Sequence, residues 1–391
     1  MIKAKGLMVV TVMSLFLQAT QAQQRFISHK TGFKKDRIIH FIFTSDVHFG
    51  LLKDSFRGKK NVPAAAVNAA MVEQMNRLPE MILPGDKAVA AGQKIKCIEG
   101  LIITGDIANR EEGGIQSAEA SWNEFIKVYA QLLNLKTAAG TGTPLLLTPG
   151  NHDVSNAIGY RRTLNPATDA SSMIGIYNME MHPVIKRKSG NFNYIKDKIH
   201  YSITTGGMHL VFVNLWPDAT ERSWMEKDLL KIKRGSPVLL FTHSMPDVDA
   251  RFFINPNGNH SINDSDKFEN LLTEKFKDGF RVTDSAITER KQFAKFLKAH
   301  PSIKTYFHGH SNYTEFYDWQ APGNTTKLHC FRADSPMKGK YSAKDETKLS
   351  FIVISIDTGA KKLTAREYLW NSDPEHPGNL PVWGAVVSVS L

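Results

Sequence analysis

Cysteine is almost missing from this chain: the 391 residues include two, Cys97 and Cys330. Two are too few for a disulfide framework or a closed thiolate zinc site. They lie far apart in sequence and are expected to remain free thiols, with one disulfide as the alternative. No apolar run reaches the roughly 18 to 20 residues that a membrane span needs. There is no repeat of fixed period, and the 27 Gly and 17 Pro are scattered, which excludes solenoid, collagen-like and largely disordered chains. Runs of basic residues interleaved with aromatics are also absent, which argues against a nucleic-acid partner.

What is present is an ordinary globular composition, 42% apolar and 22% charged, long enough for one elaborated α/β domain or two modest ones. Lys and Arg outnumber Asp and Glu 49 to 38, and the resulting +11 favours anionic partners. The first residues read as an export signal. Lys3 and Lys5 precede an apolar run, Gly6 to Leu17, and small residues follow from Ala19 to Ala22. Cleavage after Ala22 leaves 369 residues and, with Lys3 and Lys5 gone, a net charge of +9. The alternative is an uncleaved anchor. The expected location is the periplasm or the exterior, as a secreted protein with no membrane span after cleavage.

Strand and helix signals alternate from Arg37 onward. Apolar strands are expected at Ile38–Ser45, Leu101–Thr104, Leu145–Thr148, Val238–Phe241 and Ile303–Phe307, and each ends in polar residues. Helices are expected from about Val62 to Leu78, with Asn61 as cap and Pro63 in the first turn, and at Ser117–Leu133, Ser223–Ile232 and Ala286–His300. Gly206-Gly207 marks a hairpin between Lys198–Thr204 and His209–Leu215. Closing strands are expected at Lys327–Arg332, Leu349–Ile356 and Leu363–Tyr368. Residues 247–284, rich in Asn, Asp, Gly and Phe, form an irregular insertion. No linker divides the chain, so residues 23–391 are expected to form one domain with a buried sheet of α/β type.

Five strand ends deliver Asp46-Val47-His48, Gly105-Asp106, Gly150-Asn151-His152-Asp153, His243 and Gly309-His310-Ser311-Asn312. In α/β sheets ligands gather beyond the carboxyl ends of strands. Carboxylate, imidazole and amide donors converging there suit divalent ions such as Zn²⁺, Mn²⁺ or Fe²⁺ in a site open to water.

That ordered set resembles the calcineurin-like metallophosphoesterase family, from about Ile38 to Asn312. The resemblance implies a two-sheet β-sandwich flanked by helices and a binuclear centre of two divalent metal ions (Mn, Zn or Fe). It further implies that Asp46 and His48 hold the first metal, that Asp106 bridges, and that Asn151, His243 and His310 complete the second. His152 is then the general acid and Asp153 orients it. A bridging carboxylate and a shared hydroxide would separate the two cations, and the hydroxide would attack a small phosphorylated substrate.

Two departures stand out. The family commonly places a second histidine where this chain has Asn312, which weakens that ligand for the first metal. Purple acid phosphatases place a tyrosine where this chain has Asn109, so their iron centre does not fit. Arg110, next along, is a candidate phosphate clamp. Hydrolysis of a phosphate ester is the leading expectation; monoester and diester cleavage share such a centre and the motifs do not separate them, with a phosphodiester or nucleotide as the alternative substrate class. A non-catalytic metal-binding or scaffold protein on the same fold is the competing class. The remaining strand histidines, His40, His200, His209, His308 and His329, are expected to serve packing.

Overall fold

The computed structural model describes residues 38–108, 116–154, 170–193, 196–247, 282–323 and 326–391. The export signal, Arg110 and nearly all of the 247–284 insertion lie outside the described residues.

The expected strand ends all fall close to their places. Strands β1 (Ile38–Thr44), β4 (Gly100–Thr104) and β5 (Leu145–Thr148) run parallel, as buried apolar runs followed by helical crossovers should. Between β1 and β4, β2 (Leu52–Phe56) and β3 (Lys59–Pro63) form an unexpected small hairpin. Asn61 therefore lies in β3 and caps no helix. The following helix spans Ala64–Arg77, with Pro63 as its N-cap. The expected 117–133 helix is capped by the Ser117 side chain and is α-helical over Ala118–Ile126, then π-helical over Lys127–Leu132.

Later in the chain come β6 (Tyr201–Thr205), β7 (Met208–Phe212), β8 (Val238–Phe241), β9 (Ile303–His308), β10 (Glu315–Gln320), β11 (Lys327–Arg332), β12 (Ser350–Asp357), β13 (Lys362–Leu369) and β14 (Val382–Ser390). Two six-stranded sheets result, ordered β14-β13-β12-β1-β4-β5 and β10-β11-β9-β8-β7-β6. The architecture is the mixed α/β sandwich flanked by helices that the motifs implied. Strands β10 and β14 are unexpected; they are outermost in their sheets and largely exposed.

An aromatic row fixes the second sheet beneath the site. Tyr201, Phe212, Phe241, Phe307 and Phe331 occupy paired register positions across five strands, with neighbouring ring centroids 4.5 to 4.9 Å apart and nearly parallel planes. From the other sheet, Phe43 meets Phe307 edge-on at 5.4 Å. Each such pair adds about 0.5–1.5 kcal/mol beyond burial. Because Phe43, Phe241 and Phe307 sit just before Asp46, His243 and His310 in the chain, this layer sets where the ligand-bearing loops leave the sheets.

Cys97 and Cys330 are not joined by a disulfide. No helix among the described residues is long and apolar enough to cross a membrane.

Candidate metal centre

The loops after β1, β4 and β9 turn sharply at residues expected to bind metal. Asp46, His48, Asp106, His310 and Asn312 all have φ between 44° and 67°, a region that costs non-glycine residues about 1–3 kcal/mol unless the surroundings hold them there. Here backbone bonds hold them. Asp46 N–H donates to the Gly105 carbonyl (3.0 Å), His48 N–H to the Asp106 carbonyl (2.9 Å) and Phe49 N–H to the Ile107 carbonyl (2.9 Å). Glycine occupies the crossing points because nothing larger fits. A Cβ at Gly105, itself at φ 86°, would lie 2.5 Å from Gly150 N and 2.7 Å from His243 Nδ1. One at Gly150 would run into Asp106, and one at Gly309 into Ser45 and Asp46.

Asp106 is the hub. It belongs to two groups of side chains, each able to surround one ion: His48, Asp106 and His152, and Asp46, Asp106 and His243. Its Oδ2 lies 3.6 Å from His48 Nε2 and 3.8 Å from His152 Nε2; its Oδ1 lies 3.5 Å from His243 Nε2 and accepts from His152 N–H at 2.8 Å. Asn151 Oδ1 stands 3.1 Å from both His243 Nε2 and His310 Nδ1. His310 N–H donates to Asp46 Oδ2 (2.9 Å). Asp46 Oδ1 lies 3.8 Å from His48 Nε2, the pair expected at the first metal, and Asp46 also groups with His243, while His152 stands beside His48.

The electrostatics suit a pair of cations. Burial raises Asp46 and pushes Asp106 up to about 6, with the Asp46 charge adding to the rise in Asp106. Burial pulls His243 down, but the Asp106 and Asp46 carboxylates overcome it and hold the ring above its usual value. His243 Nδ1 faces the Thr104 carbonyl at 2.7 Å, so it donates there and Nε2 points into the site. Burial, with His243 and Lys338 nearby, lowers His310 to about 3 and keeps its ring neutral, the form a metal takes. Asp46 Oδ1 and Asn312 Oδ1 are buried without a hydrogen-bond partner. Buried oxygens in that state cost about 1–3 kcal/mol each, a cost that coordination removes. The donor set of carboxylate, imidazole and amide therefore fits divalent metal.

Asp153 is buried beneath the site and braces its loops. Its carboxylate accepts from Ile107 N–H, Ala108 N–H and Gly150 N–H at 2.8–3.1 Å and from the Ser172 hydroxyl. It thus ties the β4 and β5 loops to the helix Ser171–Glu180. Asn312 donates through Nδ2 to the His310 carbonyl (3.2 Å). The packing histidines behave as expected: His40 pairs with Ser355, His209 with Asp228, His200 with Glu221, His329 with Asp318 and His308 with Tyr317.

Sequence reading missed two residues of the loop after β11. Ser335 Oγ donates to the Asp46 carbonyl (2.7 Å), and Lys338 Nζ lies 3.4 Å from His152 Nε2. Neither belongs to a motif. The one available signal was a strand, β11, ending at the same face of the sandwich as β9, to which it runs parallel.

The fold, with a ring of carboxylates and imidazoles that could hold metal, is of the metallophosphoesterase type, and the family comparison agrees. The model of the calcineurin-like phosphoesterases matches residues 39–313, and the chain belongs to that family. No curated protein matches. Among solved structures, the chain is similar to a single mutant of Vps29 from Entamoeba histolytica, at 10% identity and a TM-score of 0.31, over 90% of this chain and 100% of that one.

Proposed function

We propose that this protein hydrolyses a phosphate ester with two divalent metal ions, and that it is exported. One observation carries the reading: Asp106 turns one oxygen toward His48 Nε2 (3.6 Å) and the other toward His243 Nε2 (3.5 Å), as a carboxylate bridging two ions would. When bound, such ions supply a nucleophile from water at neutral pH and offset negative charge on the phosphoryl oxygens. The chain's own residues do the rest. Asp46, His48, Asp106, Asn151, His243, His310 and Asn312 hold the metals, with the His243 tautomer set by the Thr104 carbonyl. His152, its backbone fixed by Asp106, presents Nε2 at the edge of the site and donates a proton to the leaving alkoxide. Asp153 keeps the His152 backbone in place through its clamp on Gly150.

Residues 23–391 act in this reading as one domain, with a small phosphorylated molecule as substrate. A scaffold that retains metal but lacks chemistry is the competing reading, and the Asn312 departure is what favours it. Purified protein loaded with Mn²⁺, Zn²⁺ or Mg²⁺ and offered aryl monoester, aryl diester, nucleotides and sugar phosphates separates the two. Turnover that needs metal supports the enzyme; a metal-loaded protein inert on every ester supports the scaffold. For export, N-terminal sequencing of secreted material should begin at Gln23, and an intact Met1 would refute cleavage.

A further inference from the structure

We propose that Lys338 is the cation that grips the substrate phosphate and that it favours doubly charged phosphate groups, those of monoesters, over singly charged diesters. The proposal rests on the hydrolytic reading above. Lys338 Nζ stands 3.4 Å from His152 Nε2, which is itself 3.8 Å from Asp106 Oδ2, so the ammonium lies at the rim of the centre on the side of the expected proton donor.

The loop that carries it is held at both ends by loops that bear metal ligands. Ser335 Oγ donates to the Asp46 carbonyl (2.7 Å) and accepts from Met337 N–H (3.2 Å) and Lys338 N–H (2.9 Å). At the far end, Lys340 N–H donates to the Asn312 carbonyl (2.6 Å). A side chain of long reach is thereby launched from a fixed backbone, which lowers the entropy lost when it binds an anion.

Charge decides what it binds. Two dications, once bound, would outweigh the carboxylates of Asp46 and Asp106, and an ammonium beside them would be repelled unless an anion lay between. A phosphate group fills that need, and a dianion gains about twice what a monoanion does. The other account of Lys338 is that it merely balances Asp46 and Asp106 within the fold. That account predicts an effect on metal retention and none on phosphate affinity.

The test is calorimetric binding of inorganic phosphate, largely a dianion at pH 8, and of dimethyl phosphate, a monoanion, to Mn²⁺-loaded full-length protein. Wild type, Lys338→Ala and Lys338→Arg are compared, with metal content measured on the same samples. Lys338→Ala is expected to weaken phosphate about ten- to a hundredfold, to weaken dimethyl phosphate less, and to leave metal content unchanged. Lys338→Arg should recover most of the loss and serves as the readout if the alanine variant folds poorly. Phosphate affinity within twofold of wild type, equal losses for both anions, or metal lost along with the side chain would each overturn the proposal. A wild-type protein that turns over no ester yet binds phosphate through Lys338 defeats the hydrolytic reading alone. One that turns over esters with phosphate affinity indifferent to Lys338 defeats only this proposal.

Discussion

Replacing Asp106 by asparagine separates what this side chain does for the metals from what it costs the fold. The amide keeps an oxygen to accept from His152 N–H, now 2.8 Å from Oδ1. Its Nδ2 takes the place of Oδ2, which faces His48 Nε2 at 3.6 Å and His152 Nε2 at 3.8 Å, so the shape is preserved. The charge is not. In the metal-free protein burial raises the Asp106 carboxyl from 3.8 to about 6. A carboxyl whose folded value lies above its unfolded one favours folding in the protonated form, so its cost grows as pH rises from about 4 to about 6 and is fully present above that. At about 1.4 kcal/mol per pH unit, the cost reaches about 3 kcal/mol at neutral pH. Metal-free Asp106→Asn should therefore melt above metal-free wild type at pH 7.5, by on the order of 5 °C, and the gap should close by pH 4. Mn²⁺ should raise the melting temperature of wild type and leave the variant unmoved, because a ligand stabilises only the state that binds it. Thermal melts at the two pH values, with and without Mn²⁺, read both effects. A metal-free variant that melts below wild type at pH 7.5, or equal responses to Mn²⁺, would refute the reasoning.

Three further outcomes are expected. Gly105→Ala should reduce bound metal while most of the fold survives, since the new Cβ meets Gly150 N at 2.5 Å and His243 Nδ1 at 2.7 Å; metal analysis alongside circular dichroism checks it. Asp153→Ala leaves three buried amides and the Ser172 hydroxyl without their acceptor and should destabilise the protein by about 3 kcal/mol or more, read by chemical denaturation. His152→Ala should retain metal and lose roughly 10² to 10⁴ in rate on an activated ester; loss of metal instead would make it a ligand beside His48 and Asp106.

The parts of this molecule legible in its sequence are those where one local pattern carries the whole signal. Strands β1, β4, β5, β8 and β9 are short apolar runs that stop at a polar residue, and both properties follow from burial on two faces and a site at the strand end. Strands β2 and β3 escaped because Lys59 and Lys60, opposite Phe56 and Ser55, are exposed and a buried position in β2 is held by Lys53, so no apolar alternation shows. The outer strand β10 (EFYDWQ) mixes charged and aromatic residues, whereas β14 (VWGAVVSVS) lies past the last strand expected although its valines favour a strand.

At the centre, residue types picked out the side chains that converge there but not all their contacts. That Asp46 meets His243 as well as His48 depends on how two sheets pack, which no segment encodes alone. The clamp made by Asp153 and the approach of Lys338 to His152 join residues far apart in the chain, through bonds that leave no spacing to read. The strained backbone at Asp46, His48 and Asp106 was hidden likewise, although Gly105, Gly150 and Gly309 beside the ligands mark where the loops crowd together.

The most direct measurement is anomalous scattering from crystals soaked in Mn²⁺. The account predicts two peaks on either side of the Asp106 carboxylate, one against His48 and the other against Asp46 and His243. A single peak that Asp106 does not share, or none at this end of the sandwich, would contradict it.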